Sequence, residues 1–199
     1  MGIIVIGGHS RNVGKTSVVA GLIAALPAYD WTAFKITQFG HGVCSRNGKQ
    51  CDCASRDRCW AMTEEHDKSG ISDTSRFLVS GARQAFWVRT EQGRLHEAMF
   101  TIERKLNSAP NAIIESNSIL QFVRPDLYIT VLDPATEDFK ASAERYLDRA
   151  DGIVLHRSEQ NPPRWFGISV ALVAKRVFHI SPPPYVSTSL VEFVANKLH

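Results

Sequence analysis

The opening of the chain constrains its fold more than any other segment. Four consecutive β-branched residues, Ile3 to Ile6, are followed at once by two glycines. A short apolar run of this kind is typical of a strand that is buried on both faces of a parallel sheet. Apolar residues then recur at helical spacing from Thr16 to Leu26, until Pro27 ends the pattern. The sequence therefore predicts a strand, a glycine-containing loop and a helix in direct succession.

The rest of the chain alternates between strand-like and helix-like patterns. Strands are predicted at 31–37, 84–89, 111–115, 127–132, 152–155 and 177–180, and helices at 73–81, 91–106, 138–148 and 189–198. Such alternation predicts an α/β fold with a mostly parallel sheet, covered by helices on both faces. Asp73 is predicted to cap its helix. Residues 40–68 show no clear period and are predicted to be an insertion in a single domain of residues 1–199.

The loop between the first strand and the first helix ends in the Gly-Lys-Thr of a Walker A phosphate-binding loop. Backbone N–H groups of such a loop hold phosphates, its lysine reaches the β- and γ-phosphates, and its threonine hydroxyl holds Mg²⁺. In G-x-x-x-x-G-K-T the first glycine would fall at His9, and Gly8 stands one place early. Either the loop is displaced by one residue or His9 occupies the turn. The predicted nucleotide-binding residues of the loop are Gly8, His9, Asn12, Val13, Gly14, Lys15, Thr16 and Ser17.

Three further segments resemble the SIMIBI class of P-loop NTPases, and most closely the family of the molybdopterin-guanine dinucleotide biosynthesis adapter, MobB. Lys35 resembles the lysine that ends the second strand of that family. Residues Asp67 to Ala82 (DKSGISDTSRFLVSGA) resemble its D-x-x-G-x-D-[ST]-x-[RK] segment. Glu115 matches the acidic residue of its Walker B strand, although this chain has Glu115-Ser116-Asn117-Ser118 where a Glu-Gly pair is usual in the family. The resemblance spans roughly residues 2–135 and implies nucleotide and Mg²⁺ binding, with slow hydrolysis, in cofactor or metallocentre assembly.

Catalytic and metal-binding roles are assigned on this resemblance. Lys15 and Glu115 are the predicted catalytic residues, and Thr16, Asp73 and Glu115 are the predicted Mg²⁺ ligands. A carboxylate at the carboxyl end of a buried strand can bind Mg²⁺ through water or orient an attacking water. Glu115 could instead be an ordinary acid at a strand end, and Asp73 could only cap its helix. Lys35 is assigned to nucleotide binding, with a solvated role as its alternative, and the same choice applies to Arg76.

Recognition of the base is left open by the sequence. GTPases of this class carry N-K-x-D after a late strand, and here Ile153 to Leu155 is followed by His156-Arg157-Ser158-Glu159. Glu159 stands at the position of the guanine-binding aspartate, where a carboxylate could accept two N–H bonds from guanine. Because Asn and Lys of the motif are both replaced, GTP is only slightly favoured over ATP.

All four cysteines of the chain lie in one polar stretch, at Cys44, Cys51, Cys53 and Cys59. Four thiolates suit Zn²⁺ or an iron–sulfur cluster, and a reducing cytosol disfavours a disulfide framework. The spacing C-x6-C-x-C-x5-C matches neither a zinc ribbon nor a ferredoxin. The prediction of a metal site therefore rests on number and proximity, with free thiols or disulfides as the alternatives.

The net charge and the hydropathy of the chain limit the kinds of partner that it is expected to bind. With 23 Lys and Arg against 20 Asp and Glu, the net charge of +3 does not indicate a nucleic-acid-binding protein. No apolar run approaches the roughly 18–20 residues needed to cross a bilayer, and Met1 to Ile6 is too short for the apolar region of a signal peptide. We expect a cytoplasmic protein that binds neither nucleic acid nor membranes.

Three functions fit these features. The first is an NTPase whose nucleotide state controls the cysteine segment while a metal, iron–sulfur or molybdopterin-type cofactor is assembled, with a cofactor-receiving or cofactor-synthesising protein as partner. The second is a small-molecule kinase that holds its acceptor at Asp67 to Ala82. The third is an adapter that binds metal and nucleotide without turnover. The resemblance to the SIMIBI class also implies a homodimer.

Overall fold

The computed structural model describes residues 1–40, 60–157, 165, 168 and 175–198. Within these ranges the strands are β1 (Gly2–Gly8), β2 (Trp31–Phe39), β3 (Trp60–Glu64), β4 (Gln84–Glu91), β5 (Asn111–Glu115), β6 (Leu127–Leu132), β7 (Gly152–His156) and β8 (Arg176–Ile180). The α-helices are α1 (Lys15–Ala25), α2 (Asp73–Val79), α3 (Met99–Asn107), α4 (Ala141–Glu144) and α5 (Thr188–Leu198). Short 3₁₀ helices lie at Pro27–Tyr29, Leu95–Ala98, Ser118–Gln121 and Leu147–Arg149.

The strands form one sheet in the order β3-β4-β2-β5-β1-β6-β7-β8. Only β3 runs antiparallel to its neighbour among the described strands, and all other pairs are parallel. The carboxyl ends of the parallel strands therefore meet at one edge of the sheet, where ligands of open α/β sheets bind. The prediction of an α/β fold with a mostly parallel sheet is confirmed.

Helices pack on both faces of the sheet, as predicted. On one face, apolar residues of α1, α2 and α5 share a core with Ile4 and Ile6 of β1. On the other face, α3 shares a core with Val5. Successive residues of β1 thus point to opposite cores, which explains why its sequence is continuously apolar. None of the helices in the described ranges is long and apolar enough to span a membrane.

Several element boundaries differ from those predicted. Part of the predicted insertion, Trp60–Glu64, forms the edge strand β3, whose Met62 pairs with Val88 of β4. This pairing joins segments far apart in the sequence, so no local period indicates it. The predicted helix at 91–106 is shorter, because β4 continues to Glu91 and Gly93 adopts a positive φ of 84° in the turn that follows. The predicted helix at 138–148 is reduced to α4 and one 3₁₀ turn.

The cap of α2 is Ser72, and the prediction that Asp73 caps this helix is wrong. The hydroxyl of Ser72 accepts a hydrogen bond from the backbone N–H of Ser75 at 3.0 Å, as an N-cap residue does. Asp73 is the first helical residue, and its carboxylate is free to face the carboxyl edge of the sheet.

Candidate functional site

The Walker A loop joins β1 to α1 at the carboxyl edge of the sheet. Its turn uses two left-handed residues, Asn12 at φ 59° and Gly14 at φ 87°. A glycine is favoured at Gly14 for a second reason, because a Cβ there would lie 2.6 Å from the ring of Tyr185. The side chain of Val13 is fully buried in the core below the loop, which leaves its backbone for contact with phosphate. The predicted context of strand, loop and helix is confirmed.

Lys15 lies folded back over its own loop. Its ammonium donates to the carbonyl oxygen of Ser10 at 2.5 Å, and its aliphatic stem passes so close to Gly8 that a Cβ there would lie 2.9 Å from it. Burial lowers the pKa of Lys15 to about 8, and the neighbouring Lys140 and Lys35 also lower it, against the opposing effect of Glu115. In this structure the partner of the ammonium is a neutral carbonyl oxygen, and a bound phosphate would give it an anionic partner.

Thr16, Lys35, Asp73 and Glu115 converge beside the loop. The Thr16 hydroxyl donates to Glu115 Oε2 at 2.8 Å. The Lys35 ammonium lies 3.1 Å from Thr16 Oγ1, 2.5 Å from Glu115 Oε1 and 2.9 Å from Asp73 Oδ2. Burial by itself would lower the pKa of Lys35, but the Glu115 and Asp73 carboxylates outweigh burial and raise it. The structure thus brings together four residues that the sequence placed in separate motifs.

Strand pairing explains this convergence. Lys35 of β2 and Glu115 of β5 are direct partners in the parallel ladder, and β5 also pairs with β1, which leads into the loop. The side chain of Glu115 is only 3% exposed, that of Lys35 15%, and that of Asp73 46%. Two carboxylates and a hydroxyl around one cation form a donor set of the kind that Mg²⁺ accepts, with waters and phosphates completing its shell. The residues present therefore fit Mg²⁺.

Arg76 connects α2 to α1. Its guanidinium Nη2 donates to the Ser17 hydroxyl at 2.9 Å, and its Nη1 lies 4.0 Å from Asp73 Oδ1. These contacts keep the amino end of α2 close to the Walker A loop. Arg76 therefore belongs to the described cluster and is not merely solvated.

His9 holds the loop through its buried imidazole. Its Nδ1 lies 2.8 Å from the Asp138 carbonyl oxygen, and the backbone N–H of Asp133 donates to its Nε2 at 3.0 Å. Nδ1 therefore carries the proton, and both ring nitrogens are used within the protein. Among residues other than glycine in the described ranges, only Asn12 and Asp30 have positive φ, so this position does not require the glycine of the consensus. The contacts support a structural role for the His9 side chain.

The environment of His9 predicts a pH dependence of stability. Burial lowers the pKa of His9 below its ordinary value of 6.5. Because the unfolded chain takes up a proton near pH 6.5 and the folded chain does not, the free energy of unfolding is expected to fall as the pH drops below 6.5. For one proton the slope reaches at most about 1.4 kcal/mol per pH unit.

Urea unfolding between pH 7.5 and 5 measures this slope for the wild type and for His9→Gln, which cannot titrate. The variant should show a shallower slope below pH 6.5. His96→Gln, at an exposed histidine, is the matched control and should keep the slope of the wild type. An equal slope in His9→Gln and the wild type would contradict the assignment.

Four residues that the structure places at the site were not predicted from the sequence. Asn117 pairs with the backbone of Gly8, accepting from its N–H at 3.0 Å and donating to its carbonyl at 2.9 Å. Lys140 donates its backbone N–H to the His9 carbonyl at 2.8 Å, and burial, together with Arg11, lowers its pKa. His156 and Tyr185 lie beside Gly14. No local motif indicates these residues, since each reaches the loop from a distant part of the chain.

Two predicted sites lie outside the described residues. They are Glu159, assigned to the base, and the cysteine cluster of Cys44, Cys51, Cys53 and Cys59. The segment with the cysteines is entered from Phe39, which pairs with Glu91, and left at Trp60, which pairs with Thr90. Both ends therefore lie at the carboxyl edge of the sheet. Within the part of the chain that is described, no group of three or more His, Cys, Asp or Glu side chains could hold a metal ion.

Fold and loop together define an α/β protein with a loop of Walker A sequence between its first strand and first helix. No protein-family model matches the chain, and no curated protein matches it. The resemblance to MobB therefore stays a prediction.

Similar solved structures include LpxK from Aquifex aeolicus in complex with ATP, with 16% identity and a TM-score of 0.48 over 90% of this chain and 53% of that one. HypB from Helicobacter pylori in complex with nickel has 12% identity and a TM-score of 0.47 over 98% and 84%. The MinC:MinD cell division complex of Aquifex aeolicus has 15% identity and a TM-score of 0.48 over 99% and 86%. The chain spans about half the length of LpxK. These similarities carry no conclusion about function.

Proposed function

We propose that this chain is a P-loop nucleoside triphosphatase that binds GTP or ATP together with Mg²⁺ and hydrolyses it slowly. One arrangement supports the proposal above all others. Lys15 and Thr16 open α1 directly after the loop, and the Thr16 hydroxyl donates to Glu115 at the end of β5. A lysine, a hydroxyl and a buried carboxylate are the groups that phosphoryl transfer needs at this position.

The side chains of the loop would act through charge and hydrogen bonds. In the proposed complex, Lys15 leaves the carbonyl of Ser10 and binds β- and γ-phosphate oxygens. Thr16, Asp73 and Glu115 hold the metal ion, which neutralises phosphate charge when it is bound. Glu115 could also orient the attacking water through Oε1, the carboxylate oxygen that does not accept from Thr16.

The proposal extends to the assembly of a metal, iron–sulfur or molybdopterin-type cofactor. The cysteine segment supports this part, because both of its ends lie at the edge of the sheet that carries the Walker A loop. Nucleotide state would then control the segment, which would bind Zn²⁺ or an iron–sulfur cluster. The proposed partner is a protein that receives or synthesises the cofactor, and the proposed assembly is a single domain that forms a homodimer.

Calorimetry tests nucleotide binding directly. GTP, ATP, GDP and ADP are titrated into the protein with and without Mg²⁺, and phosphate release is followed for each triphosphate. Mg²⁺-dependent binding of at least one triphosphate, with slow phosphate release, is the expected result. Binding without any release would support the adapter, and failure of all four nucleotides to bind would refute the proposal.

Metal and sulfide analysis of protein purified without oxygen tests the cofactor part of the proposal. The wild type is compared with Cys53→Ala, and the cofactor part fails if the wild type holds no metal.

A small-molecule kinase is the second candidate, and side chains next to Lys35 favour it. Trp87 is the strand partner of Lys35 and donates its indole N–H to the Thr37 hydroxyl at 2.9 Å. The Arg89 guanidinium lies 4.6 Å above the Trp87 ring, and its buried Nε has no hydrogen-bond partner within the described residues. Arg89 pairs with Thr37 near the carboxyl end of β4, and a cation at this edge of the sheet suits an anionic acceptor. A phosphate-release rate that no anionic acceptor changes would count against the kinase.

A further inference from the structure

Lys35 uses its whole ammonium group on three oxygen atoms. These are Thr16 Oγ1 at 3.1 Å, Glu115 Oε1 at 2.5 Å and Asp73 Oδ2 at 2.9 Å. A lysine has three N–H donors and no acceptor, so each donor has one partner here. The three oxygens belong to the same three residues that would hold Mg²⁺ in the proposed function.

We propose that Lys35 fills the metal position as a built-in cation in the nucleotide-free protein, and that a triphosphate must draw Lys35 away before Mg²⁺ can bind. This inference rests on the proposed function and adds a regulation of the same site. It makes Lys35 a positioning residue that couples metal binding to triphosphate binding.

Geometry requires an exchange between the two cations. Mg²⁺ needs oxygen ligands at about 2.0–2.1 Å in a near-octahedral arrangement. An ammonium that already lies within hydrogen-bond distance of all three oxygens occupies the space in which that ion would lie. The Lys35 ammonium therefore has to move before the oxygens of Thr16, Asp73 and Glu115 can close around a metal ion.

Charge explains why Lys35 stays when no nucleotide is bound. Glu115 is 3% exposed, and a buried carboxylate without a partner is strongly destabilising. With Lys35 in place, the two carboxylates and the ammonium leave one net negative charge. Adding Mg²⁺ beside the ammonium would instead leave one net positive charge and two cations in contact.

A triphosphate removes this conflict. Its γ-phosphate oxygens offer Lys35 a new anionic partner next to Thr16, and its negative charge compensates both cations. Metal ion and triphosphate are therefore expected to bind cooperatively, and the coupling has to be reciprocal. A diphosphate, which lacks the γ-phosphate, should couple more weakly.

Mn²⁺ binding measured by electron paramagnetic resonance tests this exchange without any catalytic readout. Mn²⁺ is titrated into the nucleotide-free wild type and into Lys35→Met, which keeps the length of the side chain and removes its charge. We expect the variant to bind Mn²⁺ at least about 10-fold more tightly, because two carboxylates then lack their cation. Lys197→Met, at an exposed lysine of α5, is the control and should match the wild type.

The same titration with a non-hydrolysable triphosphate measures the coupling. The gain in Mn²⁺ affinity caused by the triphosphate should be at least about 10-fold smaller in Lys35→Met than in the wild type. Lys35→Gln, which keeps two N–H donors without charge, replaces Lys35→Met should the latter fail to fold. Equal or weaker Mn²⁺ binding by the nucleotide-free variant would overturn the inference. Failure of every protein to bind the triphosphate would refute the proposed function, while the nucleotide-free comparison would still decide the role of Lys35.

Discussion

Lys15→Ala is expected to weaken triphosphate binding by about 100- to 1000-fold. A hydrogen bond to a charged group contributes about 1.5–3 kcal/mol, and Lys15 can bind both the β- and the γ-phosphate, so about 3–4 kcal/mol is lost. The nucleotide-free protein should not lose stability. Burial lowers the pKa of Lys15 to about 8, so removal of this buried positive charge should not destabilise the nucleotide-free protein.

Two measurements separate these effects. Calorimetry gives the dissociation constant of the triphosphate, and thermal unfolding with and without nucleotide gives the stability of each state. Lys15→Ala should unfold at the temperature of the wild type or above it, and nucleotide should no longer raise that temperature. Lys197→Ala serves as the control for loss of one positive charge. An affinity within a few-fold of the wild type in Lys15→Ala would mean that the loop does not hold the nucleotide.

Gly14→Ala is expected to disrupt both the loop and the binding of nucleotide. A residue with a Cβ at φ 87° is strained by about 1–2 kcal/mol. The new Cβ would also lie 2.6 Å from the ring of Tyr185, and forced overpacking costs about 1–3 kcal/mol more. Together these terms predict a loss of about 2–5 kcal/mol in stability. Because the loop must move, triphosphate affinity should fall by about 100-fold or more.

Gly93→Ala provides a matched control for backbone strain. Gly93 has φ 84°, but a Cβ there would meet no atom within 4 Å, and the residue lies in the turn after β4. The control should lose only the strain contribution and bind nucleotide as the wild type does. Urea unfolding and calorimetry on both variants measure the difference. Equal losses of stability in the two variants would show that the contact with Tyr185 is relieved without effect.

The order of strands and helices was largely predictable from the sequence. β1, β5 and β6 are short runs of apolar, often β-branched residues. Each of these strands can be predicted from its own residues, without knowledge of its partners in the sheet. The edge strand β3 was not predictable, because its pairing with β4 depends on a partner more than 20 residues away in the chain. The cap of α2 was misassigned to Asp73, since Ser72 and Asp73 are both good N-cap residues.

Individual residues of the site were predictable wherever a motif fixes their position relative to a strand end. Lys15 and Thr16 follow directly from the Walker A pattern, and Glu115 from the end of a buried apolar run. The role of His9 was not predictable, because it depends on the backbone of residues 133–138 folding over it. Asn117 gave no signal, although it fixes Gly8 by two hydrogen bonds.

The sequence by itself determined that the chain forms a mostly parallel α/β sheet with a loop of Walker A sequence between its first strand and first helix. These features depend on the periodicity and spacing of residues that are close together in the sequence. Only the tertiary structure decided that Lys35 lies among Thr16, Asp73 and Glu115. That arrangement arises because β2 and β5 are neighbours in the sheet. Pairing between strands so far apart in the sequence cannot be predicted from the pattern of either segment alone.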